Sequence, residues 1–407
     1  MATPEQLGVW LGDERVGHLV PGRRDFRYAP APGSRPLTVN PAGVEEPWDV
    51  GFGRAWFAGL LPEGEQRTAA ERRHRVERGD TFGLLAAIGW ECAGAVSVLP
   101  PGRTPAGGHY RPLAEEEVSA RLDAAPGIVD EIDLEVRHSL GGVQDKVLLT
   151  RDDKGWQLPL EGAPSSHILK PEPARFAGLV LGEAWALVAA AAVTTAAQAE
   201  VRRVVDHRPA LVVTRYDRVR TDDGLRRLHQ EDLCQVIGFM PDQKYENEGG
   251  PGLAECCQIL DMYSSQPILD KQAIIKWVIF NYFIGNANAH GKNLSLIREI
   301  DGSIRLAPFY DLISTRAYPE ISKKMAMKIG KETRFDWIME RHWRLMADQL
   351  DLKFSYLKGL FKEMAETLEK DTLEMADSII LEFNGEKRIQ KICGIIKTHI
   401  LHVKTYL

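Results

Sequence analysis

The feature that most constrains the fold is a change of pattern near Asp217. Before this position, short apolar runs such as Val147–Thr150 and Trp156–Leu160 lie between turn residues, which is typical of β-strands. After it, apolar residues recur at helical spacing, as they do from Ile274 to Phe283. Polar motifs cluster near the junction. The sequence therefore predicts an α+β fold with two lobes and a cleft between them.

The same pattern divides the chain into three predicted parts. Residues 1–105 form a small β-rich N-terminal subdomain, and residues 106–217 form a strand-rich part of the first lobe. Residues 218–407 form an all-helical C-terminal lobe, with helices predicted over 352–382 and 386–404.

Two segments need separate interpretation. Residues 100–112 are rich in Gly and Pro, which predicts a linker or long loop. Ala184–Ala199 is apolar but shorter than the about 20 residues that a membrane span requires. We interpret this second segment as a buried helix.

Composition argues against several classes of protein. The net charge of −6 does not suit binding of nucleic acid through overall charge. Five cysteines without a CxxC pair indicate neither a zinc site nor a disulfide framework, which suits the cytoplasm. The N-terminus lacks the pattern of a secretory signal. We therefore expect a cytoplasmic globular protein that does not contact a membrane.

A polar loop, Gly285–Asn293, carries the sharpest chemical signal. A strand and the turn Asp301–Gly302 follow it, and this hairpin is expected to bring Asp311 opposite Asn293. Side-chain oxygens of Asn and Asp suit Mg²⁺, which phosphoryl transfer requires. Taken singly, each of these residues is more often a simple turn former. The combination of Asn293 and Asp311 with His290 and Lys292 favours a functional site.

Three further features fit a nucleotide site but have plain alternatives. The glycine pair in Ser139–Lys146 lets backbone N–H groups approach phosphate oxygens, although such a pair between strands is usually a hairpin turn. Lys170 ends a strand and is equally well explained as an edge residue that reaches solvent. Thr214–Tyr216 lies where a strand meets the second half, as a hinge would. A simple Arg–Asp pair explains Arg215 and Asp217 equally well.

Several segments, taken in order, resemble the HipA family of serine/threonine-protein kinase toxins. The resemblance rests on SLGGVQDK, HILK, TRYDR, HQEDLCQ, PDQKYE, GGPG and the pair NAHGKN and PFYD, and it spans nearly the whole chain. It implies a two-lobed fold like that of protein kinases, with ATP and Mg²⁺ as cofactors. The implied magnesium ligands are Asn293 and Asp311. The implied ATP-binding residues are Gly141, Gly142, Val143, Gln144, Asp145, Lys146, Lys170, Thr214, Arg215, Tyr216, His290, Gly291, Lys292, Asn293, Tyr310 and Asp311.

The resemblance also implies a biological role. Members phosphorylate translation components, notably aminoacyl-tRNA synthetases, arrest growth, and pair with a HipB-like helix-turn-helix antitoxin that binds operator DNA. Ser139 matches the family's self-phosphorylated serine, whose added negative charge would disfavour bound ATP. We also expect Glu183 to pair with Lys170.

One residue departs from the family pattern. Asn288 stands where the family has its catalytic aspartate, and an amide accepts a proton far less readily than a carboxylate. We expect ATP binding to persist and transfer to be slowed by orders of magnitude. A deliberate replacement of aspartate is our first hypothesis, and a natural pseudokinase that acts as an antitoxin-bound co-repressor is the second. A metal-dependent nuclease built on His290 and Asp311 is a poor third, because few carboxylates converge.

Overall fold

The computed structural model describes residues 4–22, 25–40, 48–105, 108–125, 145–203, 208–383 and 386–406. The chain forms two compact units, each made of segments that are separate in sequence. The first unit comprises Met1–Pro171, Thr214–Asp242 and Ser295–Arg305. The second comprises Glu172–Val213, Gln243–Leu294 and Leu306–Leu407. The predicted boundaries at residues 105 and 217 stay a prediction.

Strands and helices alternate irregularly along the described part of the chain. The strands are β1 (Leu7–Leu11), β2 (Glu14–Pro21), β3 (Phe26–Pro30), β4 (Val96–Leu99), β5 (His109–Pro112), β6 (Val147–Asp152), β7 (Gly155–Leu160), β8 (His167–Pro171), β9 (Ala199–Arg203), β10 (Pro209–Thr214), β11 (Arg218–Thr221), β12 (Gly224–Arg227), β13 (His229–Asp232), β14 (Ser295–Arg298), β15 (Ile304–Leu306), β16 (Lys324–Ile329) and β17 (Glu332–Arg334). The helices are α1 (Val50–Ala58), α2 (Gly64–Arg73), α3 (Thr81–Ile88), α4 (Glu115–Ala124), α5 (Leu179–Ala191), α6 (Leu233–Ile237), α7 (Leu253–Tyr263), α8 (Pro267–Ile284), α9 (Glu340–Gln349), α10 (Phe354–Phe383) and α11 (Glu386–Lys404).

The N-terminal part of the first unit is an antiparallel sheet with the strand order β3-β2-β1-β4. One core joins this sheet to α1 and α3, with Trp56 and Phe57 fully buried. The carboxylates of Asp49 and Asp80 accept hydrogen bonds from the first turns of α1 and α3, which fixes where both helices begin.

The remainder of the first unit contains three more groups of paired strands. Strands β5, β7, β6 and β8 lie in that order, β13, β14 and β15 form another sheet, and β11 pairs with β12. In the second sheet Asp232 of β13 lies opposite Ser295 of β14. The hairpin predicted on either side of the Asp301–Gly302 turn is therefore present as β14 and β15.

The second unit is built mainly of helices. Helix α5 is buried along most of its length, and α8, α10 and α11 pack together around aromatic side chains. The imidazole of His399 stacks on Tyr282 and Phe335, with ring centroids 4.8 and 5.7 Å away. No helix in the described residues is long and apolar enough to cross a membrane.

The observed helices confirm most of the helical predictions, and three details need correction. The helix predicted over Ala184–Ala199 ends at Ala191, because β9 begins at Ala199. The loop predicted over 100–112 contains β5 from His109 onward. The part predicted as all-helical, residues 218–407, is rich in helix but also contains the strands β11 to β17. Strands of three to six residues are too short to give a clear alternation of apolar residues.

Acid should destabilise the protein through two buried histidines. Burial lowers the pKa of His229 and of His399 to about 4, from 6.5. Between these values the unfolded chain binds protons that the native chain does not, so stability falls as pH decreases from 6.5 toward 4. We expect a loss of about 1.4 kcal/mol per histidine for each pH unit. Urea unfolding at pH 7.5 and pH 5.0 measures this loss in the free energy of unfolding.

The matched pair for this test is His399→Gln and His109→Gln. His109 is exposed, so its replacement should leave the pH dependence of the unfolding free energy unchanged. Replacement of His399 should reduce that dependence. An equal pH dependence in both variants would contradict the assignment.

Candidate active site

Helix α8 ends abruptly at Gly285, and this ending creates the polar loop. Gly285 has a left-handed backbone with φ of 69°, the usual stop for a helix. A Cβ atom there would lie 2.9 Å from the Arg316 side chain, so glycine also meets a steric need. The helix stop predicted from the sequence is confirmed.

The loop after α8 is fixed by side-chain hydrogen bonds within the second unit. The Asn286 amide donates to Asn281 Oδ1 over 2.7 Å, and Asn286 Oδ1 accepts from the Asn288 backbone N–H over 2.9 Å. The Ala287 N–H donates to Thr315 Oγ1 over 2.6 Å. These hydrogen bonds therefore fix the loop backbone.

The side chains of Asn293 and Asp311 are in contact, as we predicted from the hairpin between them. Asn293 Nδ2 donates to Asp311 Oδ2 over 3.1 Å, and Asn293 Oδ1 accepts a long bond of 3.3 Å from the His290 N–H. Asp311 has φ of 57°, a left-handed conformation that costs energy in any residue other than glycine. The strained backbone directs this carboxylate to Asn293, which is a common feature of functional sites.

The donor set of this pair fits a magnesium ion. Mg²⁺ prefers oxygen ligands and usually takes only one or two from the protein, with phosphate and water oxygens completing its shell. A carboxylate beside a carboxamide meets that need. Within the described residues, no three His, Cys, Asp or Glu side chains cluster in a way that could hold a metal ion.

His290 is held neutral beside this pair. Its side chain is buried, and burial together with the positive charge of Lys244 lowers the pKa of His290 to about 3. Its Nδ1 atom has no hydrogen-bond partner in the described part of the chain. An uncharged imidazole does not repel a magnesium ion. Tyr310, which follows β15 and precedes Asp311, contacts the same loop, since its hydroxyl donates to Lys292 O over 2.6 Å.

Asn288 has a partner that sequence analysis missed. The Tyr245 hydroxyl donates to Asn288 Oδ1 over 2.8 Å, and the Tyr245 ring stands edge-on to His290. Tyr245 belongs to the PDQKYE segment, from whose composition no chemistry follows. Tyr245 lies 43 residues before Asn288 in the sequence, so only the fold reveals the contact.

Only some of the residues expected to bind phosphate lie within the described part of the chain. Ser139, Gly141, Gly142, Val143 and Gln144 lie outside the described residues. Asp145 and Lys146 precede β6, and Asp145 accepts a hydrogen bond from Gln66 of α2. Burial raises the pKa of Asp145 above its ordinary value.

Lys170 lies half-buried in β8 of the first unit. Asn293 and Asp311 belong to the second unit, so a meeting of the three side chains stays a prediction. Glu183 lies fully buried in α5, and its pairing with Lys170 also stays a prediction.

The expected hinge, Thr214–Tyr216, contains one buried arginine. Thr214 is exposed at the end of β10, whereas the Arg215 N–H donates to Ser166 O over 3.0 Å. The Arg215 guanidinium bonds Asp217 over 2.8 Å and Glu91 over 3.2 Å. The simple Arg–Asp pair considered from the sequence is present. Contact of this segment with adenine stays a prediction.

Glu91 is the centre of this buried network. It also accepts from Arg218 over 3.1 Å and from the Ser165 N–H over 2.6 Å. Burial alone would raise the pKa of Glu91, but Arg215 and Arg218 lower it to about 2. The carboxylate therefore stays charged, and it ties the segment before β4 to the TRYDR segment.

The HQEDLCQ motif has a structural role in the first unit. Glu231 accepts hydrogen bonds from Trp56 Nε1 over 3.0 Å and from the Val39 N–H over 2.8 Å. His229 Nε2 donates to Leu37 O over 2.8 Å, and Gln235 donates to Trp56 O over 3.0 Å. This motif joins the N-terminal subdomain to β13 and α6.

Comparison with known proteins identifies the family of this chain. Residues 138–372 match the sequence model of the HipA-like C-terminal domain, and residues 7–99 match that of the HipA N-terminal domain. The chain belongs to the HipA family. This membership confirms the family resemblance read from the motifs.

Individual HipA-family relatives cover most of the chain. The Sinorhizobium fredii protein Y4mE is 38% identical over 85% of this chain and 86% of its own. The serine/threonine-protein kinase toxin HipA of Shewanella oneidensis is 30% identical over 80% of this chain and 79% of its own. Kinases use ATP, so membership implies a nucleotide site in this HipA-family chain.

A solved structure confirms the fold. It is the Shewanella oneidensis complex of HipA, HipB and operator DNA, whose matching chain has a TM-score of 0.80. The match covers 98% of each chain at 24% identity. The predicted α+β, kinase-like fold is therefore correct.

The buried network predicts a large effect for Glu91→Gln. Loss of this carboxylate leaves Arg215 and Arg218 buried with one fewer negative partner. We expect a loss of about 3 kcal/mol in the free energy of unfolding. The matched control is Glu14→Gln, which removes an exposed pair with Arg35 and should cost less than about 1 kcal/mol. Equal losses in urea unfolding would contradict the role of Glu91.

Proposed function

We propose that this HipA-family chain is an ATP-dependent serine/threonine protein kinase toxin whose activity is impaired by Asn288. The contact of Asn293 with Asp311, made by a strained backbone at Asp311, is the observation that carries the proposal. We propose that these two side chains hold Mg²⁺ and that the sixteen residues named above from the resemblance surround ATP. When bound, the ion neutralises charge on the transferred phosphate.

The residue at position 288 governs the proton of the substrate hydroxyl. In an active kinase a carboxylate at this position accepts or orients that proton. The Asn288 amide offers one oxygen, and the Tyr245 hydroxyl already donates to it. Binding of ATP does not depend on this step. We therefore propose that the chain binds nucleotide but transfers phosphate slowly.

The proposal extends to targets and partners through the family. We propose an aminoacyl-tRNA synthetase as the class of protein substrate, self-phosphorylation at Ser139, and a HipB-like antitoxin that contacts operator DNA. The Shewanella oneidensis relative was solved with HipB and operator DNA, which supports an antitoxin partner. We place the protein in the cytoplasm.

A second function is favoured by Asn288 if this residue is natural. The chain would then be a pseudokinase that acts as an antitoxin-bound co-repressor. Its intact Asn293–Asp311 pair would still bind nucleotide, so the two functions differ in phosphate transfer and not in ATP binding.

Binding of Mg-ATP should raise the melting temperature of the chain. At a ligand concentration about 100 times the Kd the stabilisation is about 2.7 kcal/mol. Asp311→Ala should abolish most of the shift, because it removes the carboxylate. Asp301→Asn changes an exposed turn residue and should keep the shift. Thermal melts with Mg-ATP, and with ATP plus EDTA, measure both. No shift with Mg-ATP in the unaltered chain would contradict nucleotide binding.

Asn288→Asp should restore phosphate transfer. A general base contributes about 100- to 10,000-fold to rate, so we expect a gain of at least about 100-fold. Transfer of labelled γ-phosphate from ATP to the chain itself is the measurement. Asn247→Asp makes the same chemical change at an exposed residue and should give no gain. An Asn288→Asp chain that binds Mg-ATP without transfer would refute the impaired-kinase proposal and favour the co-repressor.

A further inference from the structure

Tyr245 is held rigidly on a turn of the PDQKYE segment. Its carbonyl oxygen accepts hydrogen bonds from the N–H groups of Glu248 and Gly250, both over 2.9 Å. A Cβ atom at Gly250 would lie 2.2 Å from Gln243 O, so this turn requires glycine. The position of the Tyr245 backbone is therefore set by local structure.

The next residue anchors the turn to β16 in the same unit. Glu246 Oε2 accepts from the Lys328 N–H over 2.6 Å, and Glu246 Oε1 lies 3.3 Å from Lys328 Nζ. Contacts at both the carbonyl of Tyr245 and the side chain of Glu246 restrict this segment. The Tyr245 ring stands at 87° to the His290 ring, with centroids 5.4 Å apart.

From this fixed position the Tyr245 hydroxyl reaches the side chain at position 288. It donates to Asn288 Oδ1 over 2.8 Å, while the Asn288 N–H donates to Asn286 Oδ1. Asn288 is thus held at its backbone by the loop and at its side chain by Tyr245. Neither contact requires a ligand.

We propose that Tyr245 is a positioning residue that orients the side chain at position 288 toward the substrate hydroxyl. This inference rests on the proposed function. An aspartate at position 288 would receive the same hydrogen bond on one oxygen and keep its second oxygen for the substrate proton. In the present chain the single side-chain oxygen of Asn288 accepts the Tyr245 hydrogen bond and is far less basic than a carboxylate oxygen, and the amide Nδ2 only donates.

The first test measures coupling without any activity. Tyr245→Phe keeps the ring against His290 and removes only the hydroxyl. We expect it to lower the melting temperature by about 2 °C in the unaltered chain, and by less than half as much in an Asn288→Ala chain. Equal losses in both chains would overturn the proposal. Tyr356→Phe, at an exposed residue of α10, is the control for loss of a tyrosine hydroxyl.

The second test separates positioning from general stability. In the Asn288→Asp chain, Tyr245→Phe should lower kcat for labelled phosphate transfer by about 10-fold, with the KM for ATP changed by less than about twofold. Tyr356→Phe should change neither constant. An unchanged kcat, or a rise in KM alone, would overturn the positioning role while the kinase proposal stands. An Asn288→Asp chain without transfer would overturn the proposed function and the catalytic meaning of this contact together.

Discussion

The contact between Asn293 and Asp311 is the constraint on which the candidate site depends. It exists because α8 stops at Gly285, because β14 and β15 form a hairpin, and because Asp311 adopts a left-handed backbone. Each condition is local. The residue types suit the first two conditions, whereas the left-handed backbone at Asp311 is strained. A strained aspartate persists only where surrounding structure supports it, which is typical of a site built in advance of its ligand.

Asn288 lies in a loop that is held by hydrogen bonds through Asn281, Asn286 and Thr315, and the Tyr245 hydroxyl donates to its side-chain oxygen. An amide and a carboxylate have nearly the same shape but differ in charge and basicity. On the proposed function, the loop therefore keeps its hydrogen bonds although the side chain at position 288 is not a carboxylate.

Sequence analysis succeeded where the signal was local. The helices α10 and α11, the stop at Gly285 and the convergence of Asn293 with Asp311 follow from periodicity and turn residues. It failed where partners are distant: Glu91 lies 124 residues from Arg215, and Trp56 lies 175 residues from Glu231. Spacing within a motif carries no information about such pairs. The same limit hid Tyr245, and it leaves the meeting of Lys170 with the metal pair a prediction.

The distant pairs give a structural role to the TRYDR and HQEDLCQ motifs, from whose composition no chemistry follows. Burial of charge is costly, so Glu91 is stable only between Arg215 and Arg218, and this requirement fixes the segment before β4 against Thr214–Tyr216. Glu231 imposes a second link, because its buried oxygens need Trp56 and Val39. Both links join the N-terminal subdomain to residues that follow β10. The first link contacts the expected adenine-binding segment through Arg215, whereas the second ends at Glu231 of β13, and each is costly to break.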